Sequence, residues 1–156
     1  MINNVHQLFI DSTSFRNKCE AITQNGYNET EIKCLITSFK FEDLPFLLDE
    51  ITSIDYKRKY LGLSLLEDLL KKADGALLVK RLIDVHFIPK LIDILESDEF
   101  PILQADSAWV LRSLIFKSTN EQITCHIDLV RILQSLIKLS NVDNCYTVKH
   151  FVSIYL

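Results

Sequence analysis

Eight residues, Leu44-Pro45-Phe46-Leu47-Leu48-Asp49-Glu50-Ile51, return as Ile88-Pro89-Lys90-Leu91-Ile92-Asp93-Ile94-Leu95, and a weaker copy follows at Leu133-Gln134-Ser135-Leu136-Ile137-Lys138-Leu139. The copies begin 44 and 45 residues apart, at positions 44, 88 and 133. A repeat of this length is one supersecondary unit used several times, and such a unit buries its apolar face only against a neighbour. Pro45 and Pro89 stand where a first helical turn tolerates a missing N–H. The apolar residues behind them recur at helical spacing, so each copy opens with a helix that presents one stripe to a core. A longer amphipathic segment follows each copy. The first, Tyr60 to Leu70, carries Leu63, Leu66 and Leu70; the second, Leu103 to Ile115, carries Ala108, Leu111 and Leu114; the third, Tyr146 to Leu156, carries Val148, Phe151 and Ile154. Asp55, Ser97-Asp98-Glu99 and Asn141 to Asn144 precede them as N-caps or loop makers.

Each gap has room for a third helix. Gly75 is expected to end a helix closing at Lys72, with Ala76 to Asp84 as the short helix before Pro89, and Asn120 to Ile127 as its counterpart one repeat later. Three helices per ~44 residues favour an armadillo unit over the two-helix HEAT unit. The expected fold is therefore all-α: an α-solenoid of about two and a half armadillo repeats (44–87, 88–132 and 133–156) behind an N-terminal helical cap, residues 1–43. In the cap, Thr13 to Thr23 reads as a helix stopped by Gln24-Asn25-Gly26. Asn28 with Glu31 suggests a capping box for a helix through about Phe39. Three glycines and three prolines in 156 residues are too few for the turns of a β-sandwich or barrel. The chain finishes apolar, His150 to Leu156, so either it self-associates through that end or it abbreviates a longer array.

The net charge of −4 argues against non-specific affinity for nucleic acid and is compatible with a basic peptide. No run of ~18 apolar residues is present, so no membrane span is expected. Met1 to Phe15 does not read as a signal peptide. Cys19, Cys34, Cys125 and Cys145 have no metal-type spacing and are expected to be reduced thiols in the core of an intracellular protein. His6, His126 and His150 are not spaced as metal ligands. Cys125 and His126 adjoin, but helical neighbours point about 100° apart and do not form a nucleophile–base pair. With no phosphate loop or acid–base constellation, no enzymatic activity, cofactor or metal is expected. The acidic residues Asp93, Glu96, Asp98 and Glu99 read as a solvated helix end and loop.

The stretch Phe100-Pro101-Ile102-Leu103-Gln104-Ala105-Asp106-Ser107-Ala108-Trp109-Val110-Leu111 resembles the third helix of an importin-alpha repeat, roughly F-P-x-L-Q-x-E-A-A-W-A-L-T-N-I. Val85-His86-Phe87-Ile88-Pro89-Lys90-Leu91-Ile92 is similar to that family's A-G-x-V-P-x-F-V, and Ser118-Thr119-Asn120-Glu121-Gln122 to its T-S-E-Q-T turn. His86 replaces a glycine there, and histidine is among the less costly substitutes if the position needs a positive φ. The resemblance covers about residues 44–156 and is densest over 84–122.

The resemblance implies a groove lined by the third helices, in which tryptophans form slots for Lys and Arg stems and asparagines hold the peptide backbone. It implies a protein of cytoplasm and nucleus that binds basic nuclear-localisation-type peptides or cargo for nuclear import. The implied peptide-binding positions are Trp109 and Ser113 in the middle repeat, Asp106 one turn before Trp109, and Ser64 and Asp68 in the first. Several depart from the family: Ser113 and Ser153 replace asparagines, Lys149 replaces a tryptophan, Arg112 a threonine, and Phe116-Lys117 a compact Ser-Gly turn. Residues 1–43 carry four basic residues against six acidic ones. They lack the Arg/Lys-rich segment through which the family meets importin-beta, so that partner is not expected. The alternative function is a degenerate armadillo scaffold that binds another protein or forms a homo-oligomer through its C-terminal helices, without transport activity.

Overall fold

The computed structural model describes residues 15–97 and 100–141, and every regular element among them is helical. Helix α1 covers residues 15–25, followed by α2 (Glu29–Ser38), a 3-10 turn (Phe41–Asp43), α3 (Leu44–Thr52) and α4 (Tyr56–Lys71). Then come α5 (Gly75–Asp84), α6 (Ile88–Ser97), α7 (Pro101–Lys117), α8 (Asn120–His126) and α9 (Leu129–Ser140). Helices α3, α4 and α5 begin at 44, 56 and 75, and α6, α7 and α8 at 88, 101 and 120, so one order, with its longest helix in the middle, occurs twice. The expected helix Tyr146 to Leu156, with Lys149 and Ser153, lies outside the described residues, as do Asp98, Glu99 and Cys145. The chain divides into two compact units, residues 1–65 and 66–156, and the division falls inside α4.

In the first unit, Gly26 ends α1 with φ +100°, and Asn28 caps α2 by accepting the Thr30 amide at 2.9 Å. Pro45 sits in the first turn of α3. Asp55 Oδ1 accepts from the Lys57 and Arg58 amides at 2.8 and 3.1 Å, which closes the open N-terminus of α4. Phe15, Cys19, Leu35, Leu47, Ile51, Leu61 and Leu63 are buried among these helices. Helices α3 and α4 approach closely at Gly62, where a Cβ would lie 2.7 Å from Ile51 Cγ1. Within this apolar packing Glu50 is only 2% exposed. Its Oε1 accepts from Arg58 Nη2 at 2.8 Å and Nε at 3.1 Å, so the buried carboxylate is paired across the α3–α4 turn. Cys19 is buried, and burial together with the Glu50 charge pushes its thiol up to about 12. Cys34 and Cys125 are exposed, so these two are surface thiols and not the core residues expected. Cys34 faces away from the α2 stripe formed by Ile32 and Leu35.

In the second unit, Gly75 opens α5 instead of ending α4, which closes at Lys71. A side chain at Gly75 would collide with the Leu70 carbonyl, so the sharp α4–α5 join requires glycine. At the far end of α5, His86 has φ +53°. Its amide donates to Ile83 O at 2.9 Å and the Phe87 amide to Leu82 O at 3.0 Å. This is a Schellman cap with histidine in the left-handed position, closed by the buried pair Leu82 and Phe87.

Helix α6 buries Ile88, Leu91, Ile92, Ile94 and Leu95. The long helix α7 lies on α6 and bonds to its backbone: Ser107 Oγ donates to Leu91 O at 2.5 Å and Gln104 Nε2 to Leu95 O at 3.3 Å. From the other direction α9 clasps α6 through Arg131, which meets Asp93 at 2.6 Å and Glu96 at 2.6 and 2.8 Å. Ser135 Oγ adds a bond to Glu96 at 3.2 Å. Asp93 and Glu96 are thus the acceptors of an interhelical fork; Asp93 stays exposed, as expected of a solvated residue, while Glu96 is half-buried. The Arg131 bonds hold the Glu96 carboxyl below its ordinary value.

A left-handed residue other than glycine costs about 1 kcal/mol, partly offset by the extra freedom glycine has in the unfolded chain. His86→Gly is therefore expected to raise stability by about 0.5 kcal/mol and His86→Val to lower it by about 1 kcal/mol or more in urea unfolding. A histidine variant series in which valine matches glycine would contradict the strain assigned to this cap.

Candidate peptide-binding surface

The rotation of α7 decides which of its residues can meet a ligand. At 3.6 residues per turn, Gln104, Ser107 and Leu111 form one stripe, and Asp106, Trp109, Ser113 and Phe116 form another about 180° away. The bonds from Gln104 and Ser107 hold the first stripe on α6. The second stripe turns towards the last turns of α4: Leu70, Lys71, Arg112, Ser113, Phe116 and Lys117 line one pocket. Lys117 Nζ also donates to Lys72 O at 3.2 Å, tying the end of α7 to the end of α4.

Trp109 is half-buried, and the Arg112 guanidinium lies over its ring at 5.6 Å from the centroid. That distance is within reach of a cation–π attraction. The position expected to receive a ligand's Lys or Arg thus already holds a cation of this chain, one turn along the same helix. Asp106, one turn before Trp109, is half-buried, and its Oδ2 is buried with no hydrogen-bond partner. Burial, reinforced by the neighbouring Glu67 charge, pushes the Asp106 carboxyl up to about 7. Glu67 itself is bonded to Lys71 at 2.6 Å. Ser113 is 5% exposed and contributes to the wall of the pocket.

Of the first-repeat positions, Asp68 is half-buried one turn beyond Ser64 on α4, and burial raises its carboxyl above the ordinary range. Ser64 is also half-buried and belongs to the 1–65 unit. Asp106, Trp109 and Ser113 are therefore brought together on one stripe with Glu67 and Lys71 facing them. Sequence reasoning missed the stacking of Arg112 on Trp109, although their spacing of three residues was a sufficient signal. It also missed Lys71, whose relation to α7 depends on packing between helices 45 residues apart.

Among the described residues no group of three His, Cys, Asp or Glu side chains is arranged to hold a metal ion, and no helix is long and apolar enough to cross a membrane. No family model, curated protein or solved structure matches this chain.

Asp106 supplies a pH-dependent test. Its folded-state carboxyl titrates near 7 against an ordinary 3.8, so the folded chain holds one more proton than the unfolded chain between these values. Stability therefore falls as pH rises through this window, and the cost of the stranded charge is fully present above pH 7. Asp106→Asn is expected to stabilise the protein by on the order of 1 kcal/mol at pH 8, a figure reduced by partial solvent screening. The gain should shrink below pH 7 and vanish near pH 4 in thermal melts. A gain that is the same at both ends would show that the carboxyl is not the source.

Proposed function

We propose that this chain is an importin-alpha-like armadillo-repeat protein that binds an extended basic peptide of the nuclear-localisation type, in the service of nuclear import. The twice-used three-helix order at a spacing of 44 to 45 residues supports the armadillo solenoid. The observation that carries the binding role is the Asp106 carboxylate, whose buried oxygen lacks a partner beside a half-buried tryptophan. A ligand ammonium or guanidinium supplies that missing partner, lowers the cost of the charge, and packs its aliphatic stem on the indole. Arg112 holds the same ring in the free protein, so ligand binding requires it to move aside. Localisation to cytoplasm and nucleus belongs to this reading. Residues 1–43 carry more acidic than basic side chains, so they add no support for importin-beta as a further partner.

A Lys-rich peptide titrated into the wild type should bind, and Trp109→Ala and Asp106→Ala should each weaken it about tenfold, near the upper range of a desolvated cation–π contact. Equal affinity in all three proteins, or no binding at high micromolar peptide, would count decisively against the reading. Circular dichroism of each variant separates lost binding from lost fold.

A second reading, a scaffold that self-associates, is favoured by α9. Leu133 and Ile137 occupy the repeat positions of Ile88 and Ile92, yet they are 40% and 53% exposed where Ile88 and Ile92 are 2% and 1% exposed. Val130, at 65%, extends the same face. A second copy of the chain offers the same apolar stripe, and pairing two such stripes covers both. Light scattering should then report a dimer that Ile137→Glu dissociates. A monodisperse wild-type monomer at high micromolar concentration would refute self-association through α9.

A further inference from the structure

The surface proposed to hold a cation changes sign within two helical turns. On α4, Glu67 is followed one turn later by Lys71; on α7, Asp106 is followed by Arg112, with Lys117 at the helix end. The pocket beyond Trp109 is lined by Lys71, Arg112 and Lys117 around Leu70, Ser113 and Phe116. Cations in the last turn of a helix also offset its dipole, and Lys117 does so through the Lys72 carbonyl. Lys71 is paired with Glu67 at 2.6 Å and Arg112 lies over Trp109, yet all three cations line the same concavity. A bond to a single oxygen leaves a lysine two further N–H donors. Phe116, 83% exposed, stands at the rim of this concavity as an apolar wall for a ligand.

Building on the proposed binding of a cation at Asp106 and Trp109, we propose that the pocket formed by Lys71, Arg112 and Lys117 receives a carboxylate of the same ligand. The preferred peptide then carries an acidic side chain a few residues from its Lys or Arg, and is not uniformly basic. A carboxylate in the pocket draws the Arg112 guanidinium towards itself and off the indole, which vacates the ring for the ligand's own cation. The two ends of the site are coupled in this way: the acidic side chain of the ligand helps to open the seat for its basic one. The charge pattern also sets the direction in which the peptide lies along α7.

The test uses the full chain and two peptides without aromatic residues, identical except that one carries Glu and the other Gln two to four residues from a Lys pair. Trp109 is the only tryptophan, so its emission reports on the ring that Arg112 covers. The Glu peptide is expected to bind about five- to tenfold more tightly, as for one exposed charge-assisted contact, with the preference weakening at high salt. In Arg112→Gln and in Lys117→Gln the ratio of the two affinities should fall towards one, whatever happens to the affinities themselves. Equal binding of both peptides by the wild type, or a ratio that survives in both variants, overturns the inference and leaves the cation site standing. Failure of either peptide to bind overturns both.

Discussion

The arrangement of the second unit depends on how α7 is rotated on α6. Apolar packing alone leaves such a rotation loosely determined, because α7 is buried on several sides, from Leu103 and Ala105 to Val110 and Leu114. Two polar side chains remove the ambiguity. Ser107, fully buried, and Gln104 each find their acceptor in a carbonyl of α6. A rotation of one residue position would leave a buried hydroxyl and a buried amide without partners, at a cost of about 1–3 kcal/mol for each. With that face committed, Asp106, Trp109 and Ser113 have no choice of direction.

The same logic separates the polar groups that stabilise this fold from those that do not. Glu50 is more deeply buried than Asp106, yet it is matched by Arg58, and Arg131 is shared between Asp93 and Glu96. Asp106 Oδ2 is the exception among the described side chains. A buried carboxylate next to Glu67 is the kind of local conflict that packing does not require, since asparagine or alanine would fit the stripe as well. That contrast, and not acidity by itself, distinguishes Asp106 from the solvated carboxylates elsewhere on the chain.

Much of the architecture was legible in the sequence because its signals are local. The prolines at 45 and 89, the cap at Asp55 and the positive φ at His86 each follow from the chemistry of one residue and its helix end. Gly75 was read as a stop signal, though its constraint is the approach of the Leu70 carbonyl, which no propensity encodes. The Arg131 fork joins residues 35 and 38 positions apart, so the pairing of Asp93 and Glu96 shows only when α9 is laid beside α6. Cys34 and Cys125 sit in apolar surroundings in the sequence but on the outer side of their helices. At the candidate surface, the shared face of Asp106, Trp109 and Ser113 follows from their spacing of three and four residues. The cations that α4 places opposite them do not.

Those cations change what the tryptophan stripe means. A uniformly acidic groove would attract basic chains through long-range charge and discriminate poorly among them. Here the carboxylates at 67, 68 and 106 are followed within two turns by positive side chains at 71 and 112, with Lys117 a further turn on. Such a surface has little net field at a distance, and its two signs are resolved only by a ligand close enough to touch both. On the proposed reading, selectivity would rest on the order and spacing of charges in the ligand and not on their sum. Arg112 is the hinge of that arrangement, since a single side chain both occupies the indole and lines the basic pocket.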